Sequence, residues 1–134
     1  MIKGSCHCNA VEFQIAKDTL SVRYCYCRTC RKLSGADYSC VARVDRSLFE
    51  VTKGSGSLVA YESRPGKARY YCKTCFAPIF VVTNNEQRFL RVRLGLLDDK
   101  PNVVVTGHMW VSEKPRWCTI NDGLPTYLHE YTGG

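Results

Sequence analysis

The sequence lacks the features that would place it in several large classes of protein. Its 134 residues contain no apolar run near the roughly 20 residues that a membrane-spanning helix needs. They contain no run of five or more lysines and arginines, which counts against a nucleic-acid-binding segment. No window keeps a helical hydrophobic period for longer than two turns. The sequence therefore predicts neither a membrane span nor a helical bundle, and nucleic acid is not the expected partner.

The length and composition predict one globular domain over residues 1–134. Hydrophobic residues make up 45% of the chain, enough to build a core of ordinary size. The segment 1–5 is too short and too polar for a signal peptide, so we expect a cytoplasmic protein with no membrane partner. The formal charge is +7 at neutral pH. A small anionic substrate explains this basic balance as well as nucleic acid does.

Short stretches of alternating apolar and polar residues predict a mainly β fold with antiparallel strands. Turn-forming residues separate most of these stretches, and no long helix lies between them. Residues 28–34 are expected to form one helical turn that Gly35 ends. The tail, which contains Pro115 and Pro125, is expected to be irregular. The predicted strands are 10–15, 20–26, 37–44, 48–52, 57–62, 68–72, 78–83, 88–94 and 103–111.

The cysteines are the main functional signal. Seven of the nine fall in three tight clusters, which are Cys6 with Cys8, Cys25 with Cys27 and Cys30, and Cys72 with Cys75. Thiols buried for packing have no reason to recur at such spacings, whereas turns of this kind aim several sulfurs at one metal ion. The odd number of cysteines and the strain of a C-x-C disulfide favour metal binding over a disulfide framework. Cys40 and Cys118 stand alone and are interpreted as ordinary buried thiols.

Seven thiols divide naturally into a site of four and a site of three. A structural zinc site takes four ligands, and a catalytic site takes three and keeps one position open. Joining the two distant pairs gives the closed site, and the three-thiol stretch then gives the open one. The residues leave two alternatives. In one, Cys27 and Cys30 would join Cys72 and Cys75, and Cys25 would be a core thiol. In the other, the thiols would hold an iron–sulfur cluster.

The same stretches resemble the family of glutathione-dependent formaldehyde-activating enzymes, which also includes centromere protein V. The resemblance spans nearly the whole chain. The matching segments are Gly4-Ser5-Cys6-His7-Cys8, Cys25-Tyr26-Cys27-Arg28-Thr29-Cys30-Arg31-Lys32-Leu33-Ser34-Gly35-Ala36, Tyr71-Cys72-Lys73-Thr74-Cys75, Leu97-Asp98-Asp99, Gly107-His108-Met109-Trp110 and Pro115-Arg116-Trp117.

This resemblance implies a single-domain β-tent fold stapled by zinc, with two zinc ions per chain. It matches Cys6, Cys8, Cys72 and Cys75 to the structural zinc and Cys25, Cys27 and Cys30 to the catalytic zinc. The family usually has glycine after each thiol pair, where this chain has Asn9 and Phe76. Asparagine tolerates a positive φ, but phenylalanine would be strained there. We therefore expect that the φ of Phe76 stays negative or that its turn differs.

The implied activity is that of a carbon–sulfur lyase acting on a small thiol and an aldehyde. Its reaction would be the reversible addition of glutathione to formaldehyde, giving S-(hydroxymethyl)glutathione. The cations beside the three thiols, Arg28, Arg31 and Lys32, are the candidates for binding substrate carboxylates, and His108 is a further candidate for substrate contact. The alternative is a zinc-stabilised module that binds nucleic acid or senses thiols without turnover. Exposed β edges make a homodimer the expected assembly.

Overall fold

The computed structural model of the protein describes residues 1–130, and short β-strands are its main regular structure. A single α-helix in this part of the chain, α1, spans Arg28–Ser34. Short 3-10 turns connect several of the strands. The strands are β1 (Ile2–Ser5), β2 (Glu12–Ile15), β3 (Thr19–Cys25), β4 (Ser39–Asp45), β5 (Phe49–Lys53), β6 (Leu58–Arg64), β7 (Lys67–Cys72), β8 (Pro78–Thr83), β9 (Phe89–Arg93) and β10 (Asn102–Met109).

These strands form two sheets. The small sheet has the order β1-β2-β5, and the large sheet has the order β10-β3-β4-β9-β8-β7-β6. Neighbouring strands are antiparallel except β3 and β10, which are parallel. Parallel neighbours need a long crossover, and here all the strands from β4 to β9 lie between them in the chain. The mainly β prediction is confirmed, whereas an antiparallel arrangement is wrong for this one pair.

The predicted strands and the helical turn are all present, with bounds shifted by one or two residues. The tail is largely irregular, as expected, with one isolated bridge between His108 and Thr126. Strand β1 was not predicted, because it has four residues and contains Gly4, which weakens a strand pattern. A Cβ on Gly4 would lie only 2.2 Å from Cζ of Phe13 on the paired strand, so close packing requires glycine there.

The large sheet has one apolar face and one polar face, because successive side chains of a strand point to opposite sides. The apolar face packs with the small sheet into one core. Its buried members include Leu20, Val22, Ala42, Val44, Phe80, Leu90 and Val92, and they join Ile2, Phe13 and Ile15 of the small sheet. Within residues 1–130, no helix has both the length and the apolar character needed to cross a bilayer.

Candidate metal centres and a basic cavity

The two distant thiol pairs meet in one cluster of four. The sulfurs of Cys6, Cys8, Cys72 and Cys75 all lie within 4.8 Å of one another. The Sγ–Sγ distances Cys6–Cys8 and Cys8–Cys72 are both 3.7 Å. Four thiolates placed tetrahedrally at 2.3 Å from zinc would be about 3.8 Å apart, whereas a disulfide is about 2.05 Å long. The four-thiol cluster therefore fits one tetrahedral ion and not a disulfide.

Backbone hydrogen bonds shape the two halves of the four-thiol cluster in the same way. The N–H of Cys6 donates to Val11 O at 3.0 Å, and the N–H of Cys72 donates to Ala77 O at 3.1 Å. Each of these two sulfurs also accepts a backbone N–H, from Val11 and from Thr74. Backbone N–H groups, that of Cys75 first, lower the pKa of Cys72 to about 6. The Cys72 turn thus favours thiolate, the form that binds metal.

Both residues that follow the thiol pairs have a left-handed backbone. The φ of Asn9 is 63° and that of Phe76 is 61°. The expectation that Phe76 avoids a positive φ is therefore wrong. The Phe76 N–H donates to the carbonyl of Cys72 at 2.8 Å, which closes the turn and fixes this conformation. The phenyl ring is 69% exposed, so it gains little packing in return.

The second cluster lies where β3 passes into α1. The sulfurs of Cys25, Cys27 and Cys30 lie within 4.8 Å of one another. Cys27 caps the helix by accepting the N–H of Cys30 at 3.3 Å, and Gly35 ends the helix with a φ of 67°. Cys25 and Cys30 are buried, whereas Cys27 is half-buried. The alternative in which Cys27 and Cys30 join the distant pair is therefore not the arrangement in the structure.

The three-thiol cluster favours negative charge at one sulfur. Hydrogen bonds from Cys25 and Cys27 are the largest of the effects that hold the pKa of Cys30 well below its usual value. The guanidinium of Arg69 adds to them, with Nη2 at 3.9 Å from Cys30 Sγ. The pKa of Cys25 is correspondingly raised, because it donates to its neighbours. Three sulfurs from one short segment leave room for a fourth ligand on a bound ion.

The three thiols open into a cavity of about 470 Å³ on the polar face of the large sheet. Among residues 1–130, its wall contains seven cations and two carboxylates. Glu86 forms ion pairs with two of the cations, at 3.1 Å to Arg43 and 2.8 Å to Arg91. Trp110 also lines the cavity. The cations are Arg23, Arg43, Arg64, Lys67, Arg69, Arg91 and Arg93, and the carboxylates are Glu86 and Glu130.

Strand register explains why these cations share one wall. Arg69 on β7 is opposite Val81, and Val81 is opposite Arg91 on β9. In the adjacent row Arg93 is opposite Val41 on β4, and Val41 is opposite Arg23 on β3. Alternation along each strand keeps all of these side chains on the polar face. It also places Cys25, two residues after Arg23, on the same side.

The predicted substrate-binding residues lie around the three thiols in different settings. Arg28 is exposed and lines a smaller depression that shares Cys27 with the main cavity. Arg31 donates from Nε to the carbonyl of Tyr26, and Lys32 is exposed. Neither of them lines the main cavity among the described residues. A role for these three cations in substrate binding stays a prediction.

His108 is buried away from the cavity and both of its ring nitrogens are occupied. Its Nδ1 lies 2.8 Å from the Tyr26 hydroxyl, and its Nε2 lies 2.8 Å from Asp122 Oδ2. Asp122 Oδ2 accepts from the Nε2–H, so Nδ1 of the singly protonated ring accepts from the Tyr26 hydroxyl, whose pKa is raised by burial. His108 thus bridges Tyr26, which lies between two thiols of the three-thiol cluster, and Asp122 in the tail. Its proposed contact with substrate stays a prediction.

The cations of the cavity wall were not predicted from the sequence, because most of them lie far from the three thiols in the chain. A signal was present: Arg91 and Arg93 alternate with Leu90 and Val92, so two cations share one face of a strand. The two lone thiols, Cys40 and Cys118, are half-buried and not fully buried as expected.

Fold and site together define a class of mainly β proteins with one closed and one open cysteine cluster. Comparison with known proteins agrees. The model of the family "Glutathione-dependent formaldehyde-activating enzyme" matches residues 1–113, and the chain belongs to this family. A protein of Halomonas elongata named "Putative glutathione-dependent formaldehyde-activating enzyme" is 25% identical over 128 residues, covering 90% of this chain and 81% of that protein.

A solved structure supports the fold independently. The crystal structure of a Rhodobacter sphaeroides protein superimposes with a TM-score of 0.59 and 22% sequence identity. The match covers 76% of this chain and 99% of the other. At this identity the likeness concerns the fold alone.

Proposed function

We propose that the protein is a zinc-dependent carbon–sulfur lyase that adds glutathione reversibly to formaldehyde, giving S-(hydroxymethyl)glutathione. The observation that carries this proposal is the three-thiol cluster of Cys25, Cys27 and Cys30, which opens into the basic cavity. Membership of the family supports the choice of glutathione and formaldehyde. The four-thiol cluster would hold a second, structural zinc.

The chain's own residues supply binding and orientation in this proposal. Zinc held by the three thiols would offer an open position that favours the thiolate form of the substrate. The cations of the cavity wall would bind the two glutathione carboxylates, and Arg28 is placed to contribute from the adjacent depression. The thiol loses its proton, the sulfur–carbon bond forms, and the former carbonyl oxygen takes up a proton, so atoms and charges balance.

The decisive variant is Cys27→Ser. Serine is a good helix N-cap, so the start of α1 should be retained while one metal ligand is lost. We expect this variant to fold, to bind one zinc per chain where the wild type binds two, and to lose thiol-dependent turnover of formaldehyde. Full turnover with the second zinc absent would contradict the proposal. Metal analysis and an assay of formaldehyde consumption give both readouts.

Calorimetry of glutathione binding separates an enzyme or a thiol sensor from a protein with a different ligand. We expect the zinc-loaded protein to bind glutathione but not S-methylglutathione, which lacks a free thiol. Turnover then separates the enzyme from the sensor. If neither compound binds, glutathione is not the substrate.

Three further expectations belong to this proposal. They are a cytoplasmic location, a homodimer, and no role for nucleic acid. The cations of the main cavity line a concave wall, which suits a small anion better than a duplex.

A further inference from the structure

Two arginines in the cavity wall are buried without a carboxylate partner. Arg69 is 2% exposed and Arg93 is 7% exposed. Arg69 donates to the hydroxyl of Ser63 and approaches Cys30, but among residues 1–130 no carboxylate forms an ion pair with either arginine. A buried charge is strongly destabilising unless it is paired. The folded protein therefore contains buried charges that lower its stability, and their presence needs an explanation.

Arg93 in this wall and Tyr71 near it each have a buried polar atom that lacks a hydrogen-bond partner. In the described part of the chain, the buried side-chain polar atoms without any hydrogen-bond partner are Arg93 Nε and the Tyr71 hydroxyl. Tyr71 also interacts electrostatically with Arg93. Buried donors are almost always satisfied in native proteins. What this wall lacks is an acceptor, and the cavity beside Arg93 can admit one.

The charge of the cavity exceeds what glutathione would neutralise. The wall has a surplus of five positive charges over carboxylates. Three thiolates with one zinc ion carry one negative charge, and glutathione bound as a thiolate carries two. About two positive charges then stay without a counterion. Six of the seven cations are arginines, whose planar forks suit phosphate and carboxylate groups.

We propose that the cavity has a second binding site, between Arg69 and Arg93, for a phosphate-type dianion. One such group can face two guanidinium groups at once and offers several acceptor oxygens, which a single carboxylate does less well. The dianion would be part of the thiol or aldehyde substrate, or it would be free phosphate bound beside it. The proposal rests on the proposed function only for the position of the substrate sulfur.

The direct test is a calorimetric titration of the zinc-loaded protein with inorganic phosphate at constant ionic strength. The variants are Arg93→Met and Arg93→Lys, and the control is Arg46→Met, which removes an exposed arginine outside the cavity. We expect the wild type and the control to bind phosphate equally. Arg93→Met should weaken binding about tenfold or more, and Arg93→Lys should be intermediate because it keeps the charge and loses the fork.

Two results would overturn the proposal. One is the absence of phosphate binding to the wild type at about 10 mM. The other is unchanged binding by Arg93→Met, since phosphate that merely coordinates the zinc ion would not depend on Arg93. Zinc content and circular dichroism of each variant show that the comparison is made between folded, loaded proteins.

A matched pair of thiols identifies the source of the dianion. Phosphopantetheine and pantetheine differ by one phosphate group. If the substrate carries the phosphate, phosphopantetheine binds the wild type more tightly and Arg93→Met removes the difference. If free phosphate is the ligand, the two thiols bind equally and inorganic phosphate binds alongside either of them. Each result supports the site and assigns its occupant.

The proposed function and the proposed anion site can be refuted independently of each other. Phosphate binding that depends on Arg93, without any binding of glutathione, would leave the anion site standing and remove glutathione as substrate. Glutathione binding and turnover without any phosphate binding would support glutathione as the substrate and remove the anion site. In that case the cations of the cavity would bind only carboxylates.

Discussion

Asn9 and Phe76 occupy equivalent positions in the two turns of the four-thiol cluster, yet only one of them suits its backbone. Both have a φ near 60°, where residues other than glycine and asparagine are strained by roughly 1–2 kcal/mol. Because the family usually has glycine at both positions, the sequence indicated that phenylalanine would be strained at position 76. It could not show that the turn keeps its left-handed conformation in spite of that strain.

We predict that Phe76→Gly stabilises the protein. Relief of the left-handed strain should exceed the greater chain entropy of glycine, for a net gain of about 0.5–1 kcal/mol in the free energy of unfolding. The exposed ring gives up little packing. Asn9→Gly is the matched control and should change the free energy of unfolding by no more than a few tenths of a kcal/mol. Urea denaturation of the zinc-loaded proteins measures both, and a loss of stability in Phe76→Gly would show that the ring has a packing role.

Arg93 should lower the stability of the ligand-free protein. Replacing an unpaired buried charge by an apolar side chain of similar length is often stabilising, so we expect Arg93→Met to raise the free energy of unfolding by about 1–2 kcal/mol in phosphate-free buffer. Arg91→Met is the comparison, because Arg91 is paired with Glu86 and should give no gain. If both variants are destabilised alike, Arg93 has a partner that the structure does not reveal.

At the scale of elements, the strand alternation and the thiol spacings predict most of the structure. Runs such as 78–83 identify their strands, and the C-x-C and C-x-x-C turns identify both thiol clusters. The pairing of the strands could not be predicted in this way, because the parallel neighbours β3 and β10 are joined by contacts that no local pattern encodes. The cavity could not be predicted either, since its cations come from strands that are far apart in the chain and are brought together by this pairing.

Through His108, strand β10 supports the segment that contains the three-thiol cluster. This residue connects Tyr26, which lies between two thiols, to Asp122 in the irregular tail. We predict that His108→Leu lowers the free energy of unfolding by about 2–3 kcal/mol, because the buried Tyr26 hydroxyl loses its hydrogen bond to His108 and Asp122 Oδ2 loses its partner. It should also make the tail more sensitive to limited proteolysis.

Asp122→Asn is the matched control for His108→Leu. The amide oxygen can still accept from His108, and position 122 is partly exposed, so a smaller loss is expected. Equal losses in the two variants would mean that the tail contact, and not the buried hydroxyl, dominates.

At the scale of the whole molecule, the four-thiol cluster joins the two sheets. Cys6 and Cys8 lie between β1 and β2 of the small sheet, whereas Cys72 ends β7 of the large one. A metal ion bound there would contribute to folding directly, because the site does not exist in the unfolded chain. The three-thiol cluster, in contrast, comes from one short segment at the end of β3 and the start of α1.

We therefore predict that the two clusters respond differently to the loss of one ligand. Cys8→Ser should lower the free energy of unfolding by about 3 kcal/mol or more, whereas Cys27→Ser should change it by less than about 1 kcal/mol. A strong chelator should unfold the protein as the four-thiol ion leaves. Thermal unfolding with parallel measurement of zinc release checks this order, and comparable losses in both variants would assign a structural role to the three-thiol site as well.

The two-faced large sheet has a consequence for how this chain can change over generations. Side chains that line the cavity and side chains that form the core alternate along the same strands, so they can vary independently. Exchanges at positions such as 23, 43 and 91 would alter the charge and shape of the cavity while leaving the interior intact. An insertion of one residue within β9 would instead turn arginines inward and Leu90 or Val92 outward, and would disrupt the core. The architecture therefore permits the cavity wall to change by substitution, but not by insertion.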